Sequence, residues 1–264
     1  MRHHQKVGVA IILVIGVALF ASSFFKLDAQ SDNAKSDKAT IIKRNRPATD
    51  EEKEYSKEYK KRYPDTDAKR LLEMAKSRRT NEIVGSSIGE PSRPTVGGLT
   101  ATSNSDLLSR ATCEADLIAV GKIEEKVAHL TDDGRFIYTQ YELTVVDIIK
   151  NISEQSVSIG REVRLTRPGG LISLDNQLIK IEDKSYPDLS VGDYYLLFLR
   201  YVPGAKGFIA STVDGTFEVR NGAVEQLPNR SLAQLTQKGS DDVFDSIRGI
   251  FGGCKGREEV RNVY

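Results

Sequence analysis

The histidines set the first limit on chemistry. His3, His4 and His129 are the only three, and the first two precede a long apolar run. A Ser-His-Asp arrangement would therefore have to be built on His129, beside Asp132 and Asp133 at the polar turn of a hairpin. The simpler expectation is a surface turn histidine. A metal site of the His and Cys type needs several ligands at short spacing, and the sequence holds no such cluster. Asp132 and Asp133 lack the ladder of alternating acidic residues of a calcium loop, so they read as turn formers. No catalytic residue, metal ligand or cofactor is assigned on these grounds.

Cys113 and Cys254 are the only cysteines. An even count in an oxidising compartment permits one disulfide, which would staple a C-terminal helix to the start of a β domain. A reactive thiol and a link between chains are the rival readings. The run Arg167-Pro168-Gly169-Gly170 has the composition of an anion-binding turn, with backbone N–H groups and the Arg167 charge. Such turns bind phosphate when a helix follows, and Leu171 to Leu174 carry no helix signal. Tyr138, Tyr194 and Tyr201, with Arg164, Arg167 and Arg200, are the aromatic and basic residues that a ligand-binding strand surface would use. Lysine and arginine number 38 against 37 aspartates and glutamates, which removes the electrostatic argument for a nucleic-acid partner.

These residues must be placed by the run from Cys113 to Lys150, which reads as two long strands about the turn Asp132-Asp133-Gly134. Ile137, Tyr141, Leu143 and Val145 recur near spacing two, the period of a strand with one face on a core. Beyond Val145 the apolar set moves to Val146, Ile148 and Ile149, which predicts a bulge. Val163 and Leu165 form a short strand ended by the Pro-Gly-Gly turn, and a further strand fits Gln177 to Glu182. Asp193 to Val202 are apolar on both faces and make the central strand. Pro203-Gly204, Asp214-Gly215 and Asn221-Gly222 then punctuate short strands at Phe208 to Thr212 and Thr216 to Arg220, the last pair being a type I′ hairpin signal. Short strands at close spacing joined by such turns predict a mainly β fold, a small closed barrel or sandwich.

The flanks differ in kind. Val7 to Phe25 are uncharged and apolar behind Arg2 and Lys6, which reads as a membrane-spanning anchor or, with cleavage after Ala29, a secretory signal. Leu27 is large for the position three back from that site. The basic flank places the N-terminus in the cytoplasm and the rest of the chain outside, and no cysteine follows the run to carry a lipid. Residues 30–103 read as a polar, partly helical stalk and linker. Within it Tyr55, Tyr59 and Tyr63 share a helical stripe, Pro64 stops that helix, and Thr66 or Asp67 caps a second with Leu71, Leu72 and Met74. Charge-rich helices with so narrow a stripe are expected to be a solvated spacer, with a docking stalk as the alternative. Glu82 to Ser103, rich in Gly, Pro and Ser, read as a linker. The β domain then covers 104–228. Helices over 229–264 are capped at Ser231 and at Ser240 or Asp241, and the second presents Val243, Phe244, Ile247, Ile250 and Phe251 for packing on it.

The order ADLIAVGKIEE, YTQYELTVVDIIK, DLSVGDYYLLFL and GFIAST resembles the netrin-like domain of the tissue inhibitors of metalloproteinases, and a loose set of exported bacterial proteins in which a cysteine precedes an Ala-Asp strand start. The likeness runs from Cys113 to Val219 and rests on strand patterns. It implies an OB-like barrel and a bias toward protein binding outside the membrane. The family's zinc-chelating cysteine stands at a mature N-terminus, whereas Cys113 lies deep in the chain, so the inhibitory chemistry is not implied. The expected role is an envelope-tethered or secreted binding or scaffolding module with another envelope protein as partner. An extracytoplasmic hydrolase or protease regulator is the alternative.

Overall fold

The alternating run becomes the longest pair of strands among the described residues because its two apolar faces are both covered. In a computed structural model that describes residues 48–64, 66–78, 84–88, 104–174, 177–211, 215–226 and 239–254, β2 (Leu117–Leu130) and β3 (Ile137–Asn151) run antiparallel from Leu117 opposite Asn151 to Leu130 opposite Ile137. Gly121 faces Val145 while Val120 faces Asp147, so Val146 is the extra residue of a bulge. A Cβ on Gly121 would fall 2.4 Å from Leu143 Cδ1, which is why the crossing at this point takes glycine.

The fold is mainly β. β4 (Glu162–Pro168), β7 (Tyr194–Val202), β8 (Gly207–Ala210), β9 (Thr216–Arg220) and β10 (Ala223–Gln226) complete a seven-stranded sheet in the order β10-β9-β7-β2-β3-β4-β8, with β7 also bonded to β8. Pairing therefore runs β7, β2, β3, β4, β8 and back to β7. Its parallel step joins Leu165 to Phe208 and Thr166 to Ile209 between β4 and β8. Leu117, Ala119, Tyr141, Leu143, Leu197, Leu199 and Phe208 lie in one apolar cluster. Their neighbours Ile118, Val120, Leu196 and Phe198 point the other way, into a cluster with Phe217 of β9, Leu108 of α3 (Asn104–Glu114), and Val243 and Ile247 of α4 (Ser240–Gly253). The helix that Ser240 or Asp241 was expected to cap begins instead behind Gly239, which offers no side chain.

At the other end of these helices Cys113 and Cys254 form a disulfide, 5.5 Å between Cα atoms and 141 residues apart in sequence. Closing so long a loop stabilises the folded chain by roughly 2–5 kcal/mol. Lys150, buried at 2% exposure, donates from Nζ to the Thr112 carbonyl at 2.8 Å and lies 5.0 Å from the Phe251 ring centre. One ammonium thus caps the C-terminal end of α3 and touches α4.

A second, three-stranded sheet has the order β1-β6-β5, with β1 (Val84–Ile88) parallel to β6 (Gln177–Asp183) and β5 (Gly170–Leu174) antiparallel to it. β1 falls inside the stretch expected to be linker. Its glycine and serines give no strand pattern, and it takes its conformation from the neighbouring edge of β6. The chain enters β5 through Gly169 and Gly170, with φ of 91° and 148°; a Cβ on Gly169 would meet the Ile181 carbonyl at 2.8 Å.

The expected spacer helix is part of the core. α1 (Asp50–Arg62) starts at a capping box, Thr49 Oγ1 accepting from the Glu52 N–H and Glu52 accepting from the Thr49 N–H. Tyr55 and Tyr59 are each only 1% exposed. Together with Tyr63, and with Ala68 and Leu71 of α2 (Ala68–Arg78), they pack on Phe136, Tyr138, Ile179 and Ile181. The stripe is too narrow to stabilise an isolated helix, but rings at spacing four match the aromatic row on β3. The described residues all belong to one compact unit. The apolar run 7–25, most of the linker and the helix expected at Ser231 lie outside the described residues, and among those described no helix is long and apolar enough to cross a membrane.

Removing the Tyr59 ring is expected to cost about 3–5 kcal/mol, the range for deleting a buried aromatic. Denaturant unfolding of Tyr59→Ala measures it, and a loss below about 0.5 kcal/mol, the size of a surface substitution, would return α1 to the role of spacer.

Candidate functional site

The aromatic and basic residues singled out in the sequence do not form one open surface. Tyr138 is fully buried, its ring 5.1 Å from Tyr59, 5.3 Å from His129 and 6.0 Å from Tyr55. Arg167 is buried at 1% exposure. Arg164 pairs with Glu51, and Arg200 with Glu58 at 2.5 Å, both carboxylates being on α1. Tyr201 is half-buried with its ring 5.3 Å from Phe208, and Tyr194 stands opposite Lys122 at the far end of β7. The physical reason is α1 itself, whose tyrosines pack on Tyr138 of β3 and whose carboxylates engage Arg164 of β4 and Arg200 of β7.

His129 is likewise no free turn residue. Its Nδ1 lies 3.1 Å from Glu52 Oε1, with the two side chains 12% and 7% exposed. At the turn, Thr131 Oγ1 donates to Asp133 at 2.8 Å, the Arg135 N–H donates to the same carboxylate oxygen, and Gly134 has a φ of 73°. Asp132 and Asp133 thus serve the turn.

What remains as a site lies around Arg167, where β4 meets the segment 183–190. Asp183, 2% exposed, accepts from Tyr63 Oη at 2.8 Å and from the Ser185 N–H at 2.8 Å, which ties the start of the segment to the end of α1. Its far end is held by Tyr141 Oη, which donates to Asp188 Oδ1 at 2.6 Å and accepts from the Leu189 N–H. Lys126 Nζ donates to the other Asp188 oxygen at 3.0 Å. Between these anchors the Tyr186 ring lies 5.5 Å from the Arg167 guanidinium carbon, and the Pro187 carbonyl accepts from Nη1 at 2.7 Å. Arg167 Nε and Nη2 are buried and have no hydrogen-bond partner.

Burial pushes the arginine pKa down, opposed by Tyr141, Tyr186 and Asp188, but a guanidinium stays charged at any ordinary pH. The Pro-Gly-Gly turn itself is spent on the fold, the Gly169 N–H donating to the Ile137 carbonyl and the Gly169 carbonyl accepting from Thr139 Oγ1. Sequence reasoning found Arg167 but placed its charge at a surface loop. Tyr186, Pro187 and Asp188 carry no local pattern that marks them, since what brings them to Arg167 is the distant contacts of Asp183 and Tyr141. Among the described residues no group of His, Cys, Asp and Glu is arranged to hold a metal.

No family model matches this chain, and no curated protein matches it.

The phenols around the site give it a pH signature. Burial raises the pKa of Tyr55, Tyr59, Tyr63 and Tyr141 well above the ordinary phenol value. In the unfolded chain these groups ionise near pH 10. Their contribution is therefore complete below that value and is lost above it, as the unfolded state sheds protons that the folded state retains, at about 1.4 kcal/mol per group per pH unit. Denaturation midpoints measured from pH 8 to 11.5 should be level at first and then fall steeply, with a shallower fall in Tyr59→Phe.

Proposed function

We propose that this chain is an extracytoplasmic binding or scaffolding module whose body is an OB-like β-barrel, tethered to the membrane or secreted through its apolar leader. The strand order supports the barrel: five strands pair in a circuit with a single parallel step, β4 to β8, which is how a five-stranded Greek-key barrel closes. The resemblance of Cys113 to Val219 to netrin-like domains points the same way. The disulfide supports an oxidising compartment, since such bonds are rare where glutathione keeps thiols reduced.

The observation that carries the role is that Tyr55, Tyr59 and Tyr63 belong to the β domain's own core. The leader is thereby separated from a rigid body by the 20 residues 30–49. Those residues reach at most about 70 Å when fully extended. A body held on so short a lead works within a fixed distance of the bilayer, as a scaffold for another envelope protein requires. OB barrels commonly bind oligomeric ligands on the face of their second and third strands. Here those strands are β3 and β4, α1 lies over them, and the chain's charges balance. A protein partner fits these facts better than a nucleic acid does.

Two measurements on the full chain test the proposal. Intact mass after trapping thiols in living cells should show Cys113 and Cys254 bonded, and photo-crosslinkers at exposed positions should join the chain to the same envelope protein from several sites on one side. Reduced, alkylated cysteines with a protease-protected domain, or crosslinks no different from those of an unrelated anchored barrel, would overturn it.

A further inference from the structure

We infer that Arg167 is the receptor for a small planar oxyanion of single charge, of the carboxylate or bicarbonate type, taken in beneath the segment 183–190. A guanidinium offers two edges for bidentate recognition, and the edge formed by Nε and one terminal nitrogen matches the two oxygens of a planar oxyanion. In Arg167 this edge, Nε with Nη2, is buried and has no hydrogen-bond partner, while Nη1 is used by the Pro187 carbonyl. A buried charged donor left without an acceptor is among the costlier arrangements a folded protein can hold.

The neighbouring groups are committed elsewhere. Asp188 is the nearby carboxylate, but one of its oxygens accepts from Tyr141 and the other from Lys126, and its side chain is 66% exposed. It therefore supplies field at Arg167 without hydrogen bonds to it. The Thr166 hydroxyl accepts from Tyr59, and Thr139 donates to Gly169. Tyr186 lies over the guanidinium as a flat apolar cover. With Asp188 already paired with Lys126, Arg167 leaves one unopposed positive charge, which suits a monoanion better than a dianionic phosphate, and a flat ligand is compatible with the flat tyrosine cover. With 1% of the arginine exposed, entry requires residues 184–188 to lift, which breaks the hydrogen bonds from Tyr141 and Lys126 to Asp188 and from Arg167 Nη1 to the Pro187 carbonyl. The inference is independent of where the protein resides and of what its outer surface binds.

Thermal unfolding of the full chain, titrated with formate, acetate or bicarbonate against chloride at equal ionic strength, tests it. The planar oxyanions should raise the Tm in a saturable manner, by about 5–10 °C at about a hundredfold excess over Kd, with no such response to chloride. Arg167→Lys, which keeps charge and loses the fork, should weaken the response at least about tenfold, a loss of one good charged hydrogen bond, and Arg167→Met should abolish it. If a variant does not fold, the wild-type titration decides alone, read also by broadening of the 13C-formate resonance. Equal, unsaturated responses to all the anions in wild type, or a saturable formate response retained in folded Arg167→Met, would overturn the inference.

Discussion

The stacking of α1 on β3 is the interaction from which the rest of the structure follows. Tyr59 lies parallel to both Phe136 and Tyr138, at 5.3 and 5.1 Å, and Tyr63 lies parallel to Phe136 at 4.6 Å. A 13-residue helix sits at the length where isolated helices are marginal even with favourable sequences, so α1 owes its stability to this surface. Its ion pairs contribute little by comparison. The Glu51–Arg164 and Glu58–Arg200 side chains are 30% exposed or more, and such pairs stabilise by about 0–1 kcal/mol. Each buried tyrosine ring brings a larger hydrophobic gain and a stacking term of about 0.5–1.5 kcal/mol beyond it. The charges set the orientation of α1, and the rings hold it down.

From that contact the polar architecture can be followed outward. Tyr63 at the end of α1 reaches Asp183, Asp183 orders the start of segment 183–190, and that segment places Tyr186 and Pro187 against Arg167. On the opposite side of the strands α3 and α4 play the corresponding part, joined by the disulfide and bridged by Lys150. With α3 and α4 on one face and the side chains of β3, β4 and β8 on the other, β2 and β7 can be apolar on both faces, which explains why their sequence reads as nearly continuous hydrophobic runs where a one-sided strand would alternate.

Local features were readable from the sequence wherever the cause was local. The Asn221-Gly222 turn has both residues at positive φ, 50° and 73°, as a type I′ hairpin requires, and the Val146 bulge shows in the shift of apolar residues past Val145. The helix over 50–62 was readable too, from its tyrosine spacing. Its destination was not, because the matching row of Phe136 and Tyr138 lies far along the chain. The same holds for His129, whose partner Glu52 comes from α1, and for Arg167, buried by a segment that β5 and β6 separate from it. β1 was invisible for a related reason: Val84, Gly85, Ser86 and Ser87 carry no period of their own and gain a strand conformation only beside Ile179 to Asp183.

The central claim is that α1 and the β strands are one cooperative body. Native-state hydrogen exchange measures this directly by comparing the opening free energy of amides in α1 with that of amides in β2 and β3. The account predicts that the interior amides of α1 open only with the global unfolding of the strands, at the same free energy and with the same denaturant dependence. Exchange through α1 at a free energy several kcal/mol lower, with β3 still fully protected, would contradict it.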